Sequence, residues 1–218
     1  MTRTLPLAFG VLTLGLLWLG PLPAMAPHRF SAHMTMHMGV VAVAAPLIAL
    51  GISGARLDPT RRFPRIFSAI PASVLELVVV WAWHAPALHH AARGSATGLL
   101  AEQSMFLLSA LLVWTSALGG GAAGHRAAAG VVALLLTSMH MTLLGALLAL
   151  APRPLYPHGS SSLATSTHLD DQHLGGAIML AVGGIVYLAG GLWLAWTLVR
   201  DRAARRQRTD WMANREIG

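Results

Sequence analysis

The stretch His33-Met34-Thr35-Met36-His37-Met38 opens a long apolar segment and brings together two imidazoles and three thioethers. In a helix, side chains four residues apart lie on one face, so the spacing predicts that His33 and His37 are side by side. Met34 and Met38 have the same spacing and fall on an adjacent face. Neutral imidazole and thioether are both ligands for soft or borderline metals, copper above all. The same side chains also suit the polar end of a membrane helix, and these six residues alone leave both interpretations open.

The composition predicts an all-α polytopic membrane protein. Of the 218 residues, 55% are hydrophobic and only 11% are charged, and the mean hydropathy is +0.61. An ordinary soluble domain is less apolar and carries more charge. The chain has no cysteine, which excludes disulfides, cysteine-based copper or redox motifs, and covalent haem attachment. A transition metal must therefore be held by histidine, methionine or carboxylate side chains.

Six apolar segments, each near the ~20 residues that a helix needs to cross the hydrocarbon core, make up most of the chain. They run over about 5–23, 34–53, 66–83, 98–118, 127–150 and 174–199. We expect residues 1–26 to form a first transmembrane helix or an uncleaved signal-like segment, because Pro27 is unfavourable for cleavage directly after Ala24-Met25-Ala26. Residues 27–199 are expected to form the transmembrane helical core, and 200–218 an arginine-rich cytoplasmic tail.

The basic residues predict the topology. All 15 are arginine, and they cluster in short loops between apolar segments. The positive-inside rule explains this clustering, so no nucleic acid is expected as a partner despite the net charge of +7. With the N-terminus inside, twelve arginines fall on the inner side and only Arg29, Arg93 and Arg153 on the outer side. This predicts a helix bundle of about six transmembrane helices with both termini cytoplasmic.

The histidines segregate to the side opposite the arginines. Ten of the 11 lie in outer loops, at outer helix ends or, for His140, inside the fifth segment, and only His125 lies on the inner side. The positive-inside rule concerns fixed charge and does not sort neutral imidazole, so a shared metal site on the outer, periplasmic face is the simplest explanation. Besides the opening stretch, three groups of residues are candidate ligands. The end of the third segment carries His84, with His89 and His90 just beyond it. The start of the sixth segment carries Asp170, Asp171 and His173, and the fifth segment contains Met139-His140-Met141.

Single residues also have structural interpretations. His84 suits an interfacial cap and Asp171 a helix N-cap. Glu76, within the third apolar segment, is either a functional group at membrane depth or a protonated hydrogen-bond partner for a neighbouring helix. Glu102, near the interface, is expected to be a helix-start residue. No nucleophile constellation and no catalytic acid–base pair stand out, so we do not expect an enzyme.

Several stretches together resemble a known family. They are His33-x-x-x-His37-Met38, Ala45-Pro46-Leu47-Ile48-Ala49-Leu50-Gly51, Trp83-His84-Ala85-Pro86-Ala87-Leu88, the helix Phe106 to Trp114, Pro154-Leu155-Tyr156, and Asp171-Gln172-His173-Leu174-Gly175-Gly176-Ala177-Ile178-Met179. In this order, over roughly residues 30 to 200, they resemble the CtaG family of multi-span cytochrome c oxidase assembly factors. The opening stretch and the DQ-x-x-GG-x-x-M stretch are the most specific parts.

The resemblance implies a membrane protein that helps to mature a haem-copper oxidase by delivering copper to its catalytic subunit. By motif it carries over His33, His37, His84, Asp171 and Met38. The chain departs from the family at Glu102-Gln103-Ser104, where such proteins often carry another histidine, and it is short. Our hypothesis is that Cu(I) enters from a periplasmic copper donor and is held by the histidines, with methionines as weak ligands. The full set of candidate metal ligands is His33, His37, Met38, His84, Asp171 and His173.

Two other classes of function remain open at this point. In a membrane redox enzyme, imidazoles would ligate haem or a di-metal centre, but haem between helices usually needs paired histidines at depth and only His140 is deep, so no haem is expected. In a proton- or metal-coupled transporter, Glu76 and His140 would lie on the path. The six short segments show no inverted repeat or broken-helix pair. The residues also leave copper and zinc undecided.

Overall fold

The computed structural model describes residues 3–55, 58–119, 124–156 and 162–216, and within these ranges it contains helices and no strand. The helices are α1 Thr4–Leu19, α2 Leu22–Met25, α3 Phe30–Ile52, α4 Pro59–Arg62, α5 Ala69–His84, α6 Pro86–Arg93, α7 Ala96–Leu118 and α8 Gly124–Ala149. The last helix, α9, runs continuously through Ser162–Ile178, Met179–Gly183 and Gly184–Glu216. The predicted all-α fold is confirmed.

Five helices of the described chain are long and apolar enough to cross a membrane: α1 with α2, α3, α7, α8 and α9. A sixth span is formed if α5 and α6, which meet at an angle of 72°, count as one. This agrees with the expected number of about six. The side of the membrane on which the termini lie stays a prediction.

The bend between α5 and α6 follows from Pro86. A proline disfavours helical geometry in the residue before it, and Ala85 is accordingly extended with φ −65° and ψ 135°. The chain restarts as α6 with Pro86 in the first turn, where its missing N–H does no harm. As a result α6 turns across one end of the bundle and places His89 and Arg93 above α3 and α7. We call this the histidine end.

The start of the last helix corrects one expectation from the sequence. The sixth apolar segment was expected to begin near residue 174, with Asp170, Asp171 and His173 at the start of its helix. Instead α9 begins at Ser162, so these residues lie more than two turns inside it. The arginine-rich tail continues the same helix as far as Glu216.

Helix α3 lies at the centre of the bundle and packs against α1, α7 and α9, while α8 packs along α5 and α9. Close contact between α8 and α9 depends on glycine. A Cβ at Gly145 would lie 2.6 Å from the backbone nitrogen of Leu180, and one at Gly176 would overlap the backbone nitrogen of Ala149. Helix α1 is peripheral: Gly10 is its one buried residue among those described.

Two π-helical turns interrupt the long helices, at Gly39–Ala44 in α3 and Met179–Gly183 in α9. The first presents the carbonyl of Val41 to the bundle interior, where it accepts a hydrogen bond from Trp114 Nε1 at 3.1 Å and contacts the Tyr187 hydroxyl at 3.2 Å. Tyr187 also bonds Glu76 Oε1 at 2.7 Å, and the Thr137 hydroxyl donates to Glu76 Oε2 at 3.2 Å. Glu76 thus accepts hydrogen bonds from α8 and α9, while its protonated form and a function at membrane depth stay predictions.

Candidate metal centre

His33 and His37 lie on one face of α3, as their spacing predicted. Both side chains are fully buried, and the two rings are nearly parallel with centroids 6.3 Å apart. They face α5, α6 and α7 inside the bundle, so they are sealed from the surface rather than exposed at a helix end. Neither ring nitrogen of His37 has a hydrogen-bond partner among the described residues.

His84 completes a triangle with these two rings. It is the last residue of α5, and its ring centroid lies 5.5 Å from that of His37 and 6.1 Å from that of His33. The Nδ1–H donates to the carbonyl of Val80 at 2.7 Å, so in the neutral ring Nε2 carries the lone pair. Within the described chain that nitrogen is buried and has no partner. A nitrogen oriented in this way is ready to ligate a metal.

Helix α6 adds a fourth imidazole. The His89 ring lies 5.4 Å from the His33 ring and 4.0 Å from the ring of Tyr156. Tyr156, in the connection before α9, donates its hydroxyl to the carbonyl of His84 at 2.7 Å. Burial raises the pKa of Tyr156 above its usual value, which keeps this hydroxyl protonated as a donor. His33, His37, His84 and His89 together are called the histidine cluster below.

A buried ion pair lies against the histidine cluster. Arg93 Nη2 donates to Glu102 Oε2 at 2.7 Å and to His33 Nδ1 at 2.7 Å, while Nη1 donates to the carbonyl of Ala26 at 3.1 Å. Glu102 is fully buried and the Arg93 side chain is 5% exposed. His33, His89 and Glu102 each offer a ligand atom, all within 4.8 Å of one another. The guanidinium holds two members of this set, so His33 can ligate through Nδ1 only after Arg93 moves away.

The inner wall of the cluster is apolar. The Phe106 ring lies 3.9 Å from the His37 ring and within 6.1 to 6.4 Å of His84 and His33. His140 is also buried, 2% exposed, and is close enough to His37 to interact with it electrostatically, and neither of its ring nitrogens has a hydrogen-bond partner among the described residues. The cluster is therefore a pocket of imidazoles closed by an aromatic ring on one side and an ion pair on the other.

Met38 is placed on a different face from the imidazoles. Its sulfur lies against Gly183 of α9, 3.3 Å from where a Cβ would be. Met34 lies in the same way against Gly175. Each methionine thus has a contact with α9. Their role as weak ligands stays a prediction.

Asp171 and His173 make structural contacts. Asp171 accepts from the backbone N–H of Phe30 at 2.5 Å and from the backbone and hydroxyl of Ser31, so it caps the first turn of α3 from another helix. His173 Nε2 contacts the carbonyl of Ala151 at 2.9 Å. Between them, Gln172 accepts from the N–H of Leu155 at 2.7 Å. The DQ-x-x-GG stretch thus fixes α9 against α3 and α8, and the ligand roles of Asp171 and His173 stay untested predictions.

Arg93 and Glu102 are the residues that the sequence reasoning missed. Glu102 was taken for a helix-start residue and Arg93 was counted only as an outer arginine. A signal existed, because Arg93 is one of just three arginines on the side where the positive-inside rule disfavours them, and Glu102 follows it by nine residues. A charge in the disfavoured place next to an opposite charge in an apolar segment indicates a buried pair.

One family model matches residues 1–201, and its description is cytochrome c oxidase caa3 assembly factor (Caa3_CtaG). The chain belongs to this family. The match covers nearly the whole chain and confirms the family indicated by the short motifs. No curated protein and no solved structure matches this caa3 assembly factor.

Membership gives the caa3 assembly factor a role in cytochrome c oxidase assembly, with the oxidase as partner and the membrane as location. An assembly role is not a catalytic one, so membership favours the expectation that the chain is not an enzyme. The histidine cluster, with Glu102 beside it, is a group of buried side chains in the described chain that could hold a metal ion.

Proposed function

We propose that this caa3 assembly factor binds Cu(I) in the histidine cluster and passes it to the catalytic subunit of the oxidase at the periplasmic face of the bacterial inner membrane. The single observation that carries the proposal is the pairing of His37 and His84. Three of their four ring nitrogens are buried without a partner among the described residues. Leaving buried polar atoms unsatisfied costs stability, so such an arrangement indicates a site kept for a ligand.

The ring spacing supports a shared ion. Imidazole nitrogens bind first-row metals at about 2 Å, so rings that share one ion have centroids about 5–6 Å apart. The centroids of His33, His37 and His84 are 5.5, 6.1 and 6.3 Å apart. Ligand nitrogens of these three histidines do not all lie within 4.8 Å of one another, so the rings must turn before they can share one ion.

The charge of the cluster supports a monovalent ion. Neutral imidazoles contribute no negative charge, and the one carboxylate, Glu102, is already paired with Arg93. The Born penalty for burying an ion grows with the square of its charge, so Cu(I) is far less costly here than a divalent metal. Imidazole is also a ligand type that suits copper.

The arrangement also supports transfer rather than storage. His37 and His84 are ready to bind, whereas His33 is held by Arg93. A third ligand that joins only when an arginine moves makes the site adjustable, and copper held by two or three neutral ligands can be released to a tighter site. The arginine-poor side of the chain is the periplasmic side by the positive-inside rule, which supports delivery from a periplasmic donor.

The test is a Cu(I) titration of the detergent-purified protein against a competing chelator. The wild type is expected to bind about one copper, and His37→Leu to weaken binding at least about tenfold. His28→Leu is the matched control, because His28 is exposed and outside the cluster. Equal affinities in all three proteins, with helicity preserved by circular dichroism, would overturn the proposal. A Soret band in the purified protein would instead favour a haem protein.

A further inference from the structure

His140 of α8 is a buried imidazole that the proposed copper site does not use. Neither of its ring nitrogens has a hydrogen-bond partner in the part of the chain that the structure describes. A neutral imidazole has one donor and one acceptor nitrogen, and burying either without a partner costs stability. A polar side chain kept in this state inside a membrane helix bundle indicates a ligand.

The packing of two methionines places His140 at the level of His37. His37 directly precedes Met38 on α3, and His140 directly precedes Met141 on α8. The two methionines meet beside Gly183 of α9, where a Cβ would lie 3.3 Å from the Met38 sulfur and 3.2 Å from the Met141 Cβ. The two histidines are therefore neighbours in the bundle interior, which agrees with the electrostatic interaction between them.

A hydrogen bond between α5 and α8 gives the depth of His140 relative to His84. Thr137 of α8 donates to Glu76 of α5 at 3.2 Å, so these two residues lie at one level. Towards the histidine end, His84 follows Glu76 by eight residues and His140 follows Thr137 by three. At about 1.5 Å per residue these are rises of about 12 and 4.5 Å, so His140 lies more than one helical turn deeper than His84.

His37 is the neighbour of both of these rings. Its centroid lies 5.5 Å from that of His84, and both of its own nitrogens are buried without a hydrogen-bond partner within the described ranges. The ring torsion of histidine is broad, so rotation about the Cβ–Cγ bond redirects the nitrogens without moving the helix. A metal ion on His37 can therefore be shared first with His84 and then with His140.

We propose that His140 is a second, deeper copper ligand, which takes Cu(I) over from His84 while His37 keeps its bond to the ion. This proposal rests on the proposed function and deepens it. In the step, the bond between copper and the His84 nitrogen breaks, and one to the lone pair of His140 forms. Both imidazoles are neutral, so copper stays Cu(I) and no proton or electron is transferred. Because the two positions share His37, the chain still binds one copper.

The first experiment is a Cu(I) titration of the detergent-purified full chain against a competing chelator. It compares the wild type with His84→Leu, His140→Leu and the double variant. Because His140 replaces the missing ligand, His84→Leu should lose less than about tenfold in affinity, and the double variant at least about tenfold more. Equal affinities of His84→Leu and the double variant would overturn this proposal alone. A wild type that binds no copper would overturn the proposed function as well.

The second experiment follows the release of copper to an excess of water-soluble chelator by stopped flow. Copper at the deeper position is further from water, so His140→Leu should release it at least about fivefold faster than the wild type. His140→Met should restore slow release, because a thioether also binds Cu(I). The exposed His28→Leu is the matched control and should release at the wild-type rate. Equal rates in His140→Leu and the wild type would overturn the proposal.

The stability of the copper-free protein separates a ligand from a structural residue. His140→Leu removes two buried polar atoms that have no partner among the described residues, so the midpoint of thermal unfolding should stay the same or rise. A fall of more than about 4 °C would show that His140 is bonded within the fold, and the proposal would then be wrong.

Discussion

Replacing Arg93 by methionine tests whether the ion pair beside the histidine cluster is a coupled unit. The guanidinium neutralises Glu102, which is fully buried, so Arg93→Met leaves a carboxylate without its cation. Breaking a buried pair from one side costs about 3–5 kcal/mol of unfolding free energy. Glu102→Leu should cost about as much, because it strands the guanidinium instead.

The double variant Arg93→Met/Glu102→Leu removes both charges and should be much less destabilised than either single variant. What remains lost is the hydrogen bond to His33 and the one to the carbonyl of Ala26, about 1 kcal/mol each. The losses of unfolding free energy in the two single variants therefore add up to about 6–10 kcal/mol, whereas the double variant loses about 2 kcal/mol. The difference is the coupling energy between Arg93 and Glu102, which is at least about 4 kcal/mol.

The assay is a double-mutant cycle on reversible denaturant unfolding in detergent, followed by circular dichroism. Arg153→Met, at an exposed arginine, is the control and should change stability by less than about 0.5 kcal/mol. A coupling below about 0.5 kcal/mol would show that Arg93 and Glu102 act independently, and the description of the cluster wall as an ion pair would then be wrong.

Three further predictions concern residues outside the copper set proposed above. Asp171→Ala removes the cap from α3 and should lower the unfolding free energy by about 1–2 kcal/mol, with Cu(I) affinity unchanged. If the variant folds but no longer binds copper, Asp171 is a ligand. Gly176→Ala forces α8 and α9 apart and should lower the unfolding free energy by about 1–3 kcal/mol. The control Gly15→Ala has no atom within 4 Å of the new methyl group and should be nearly neutral in thermal unfolding. Similar unfolding midpoints for the two variants would contradict the close packing of α8 and α9. Tyr187→Phe leaves Glu76 with one partner fewer and should cost about 1–3 kcal/mol in the same unfolding assay, and a neutral effect would mean that the contact between these residues contributes nothing.

Local rules were enough to predict the parts of the site that lie within one element. The i and i+4 spacing predicted the shared face of His33 and His37, and the end of the third apolar segment placed His84 at the end of its helix. The burial of these rings was not predictable in this way. It depends on α6 folding across the end of the bundle and on Phe106 of another helix, and neither contact leaves a pattern in the local sequence.

The start of α9 shows a different limit. Serine, threonine and aspartate are weak helix formers because their side chains compete for the backbone, so the stretch after residue 161 reads as a loop. In the fold these polar groups serve other elements: Asp171 caps α3, and Gln172 bonds the chain at Leu155 and Leu148. Tertiary hydrogen bonds thus favour a helix where intrinsic propensity does not.

The π-turn at Gly39–Ala44 connects two parts of α3 that have different tasks. The turn before it carries His33 and His37, and the carbonyl of Val41 within it meets Trp114. Deleting one residue from the turn would rotate the N-terminal part of α3 by about 100° relative to its C-terminal part. His33 and His37 would then point away from His84, although neither histidine had been replaced. The insertion or deletion of a single codon in this stretch would therefore disturb the histidine cluster more than most substitutions elsewhere in α3.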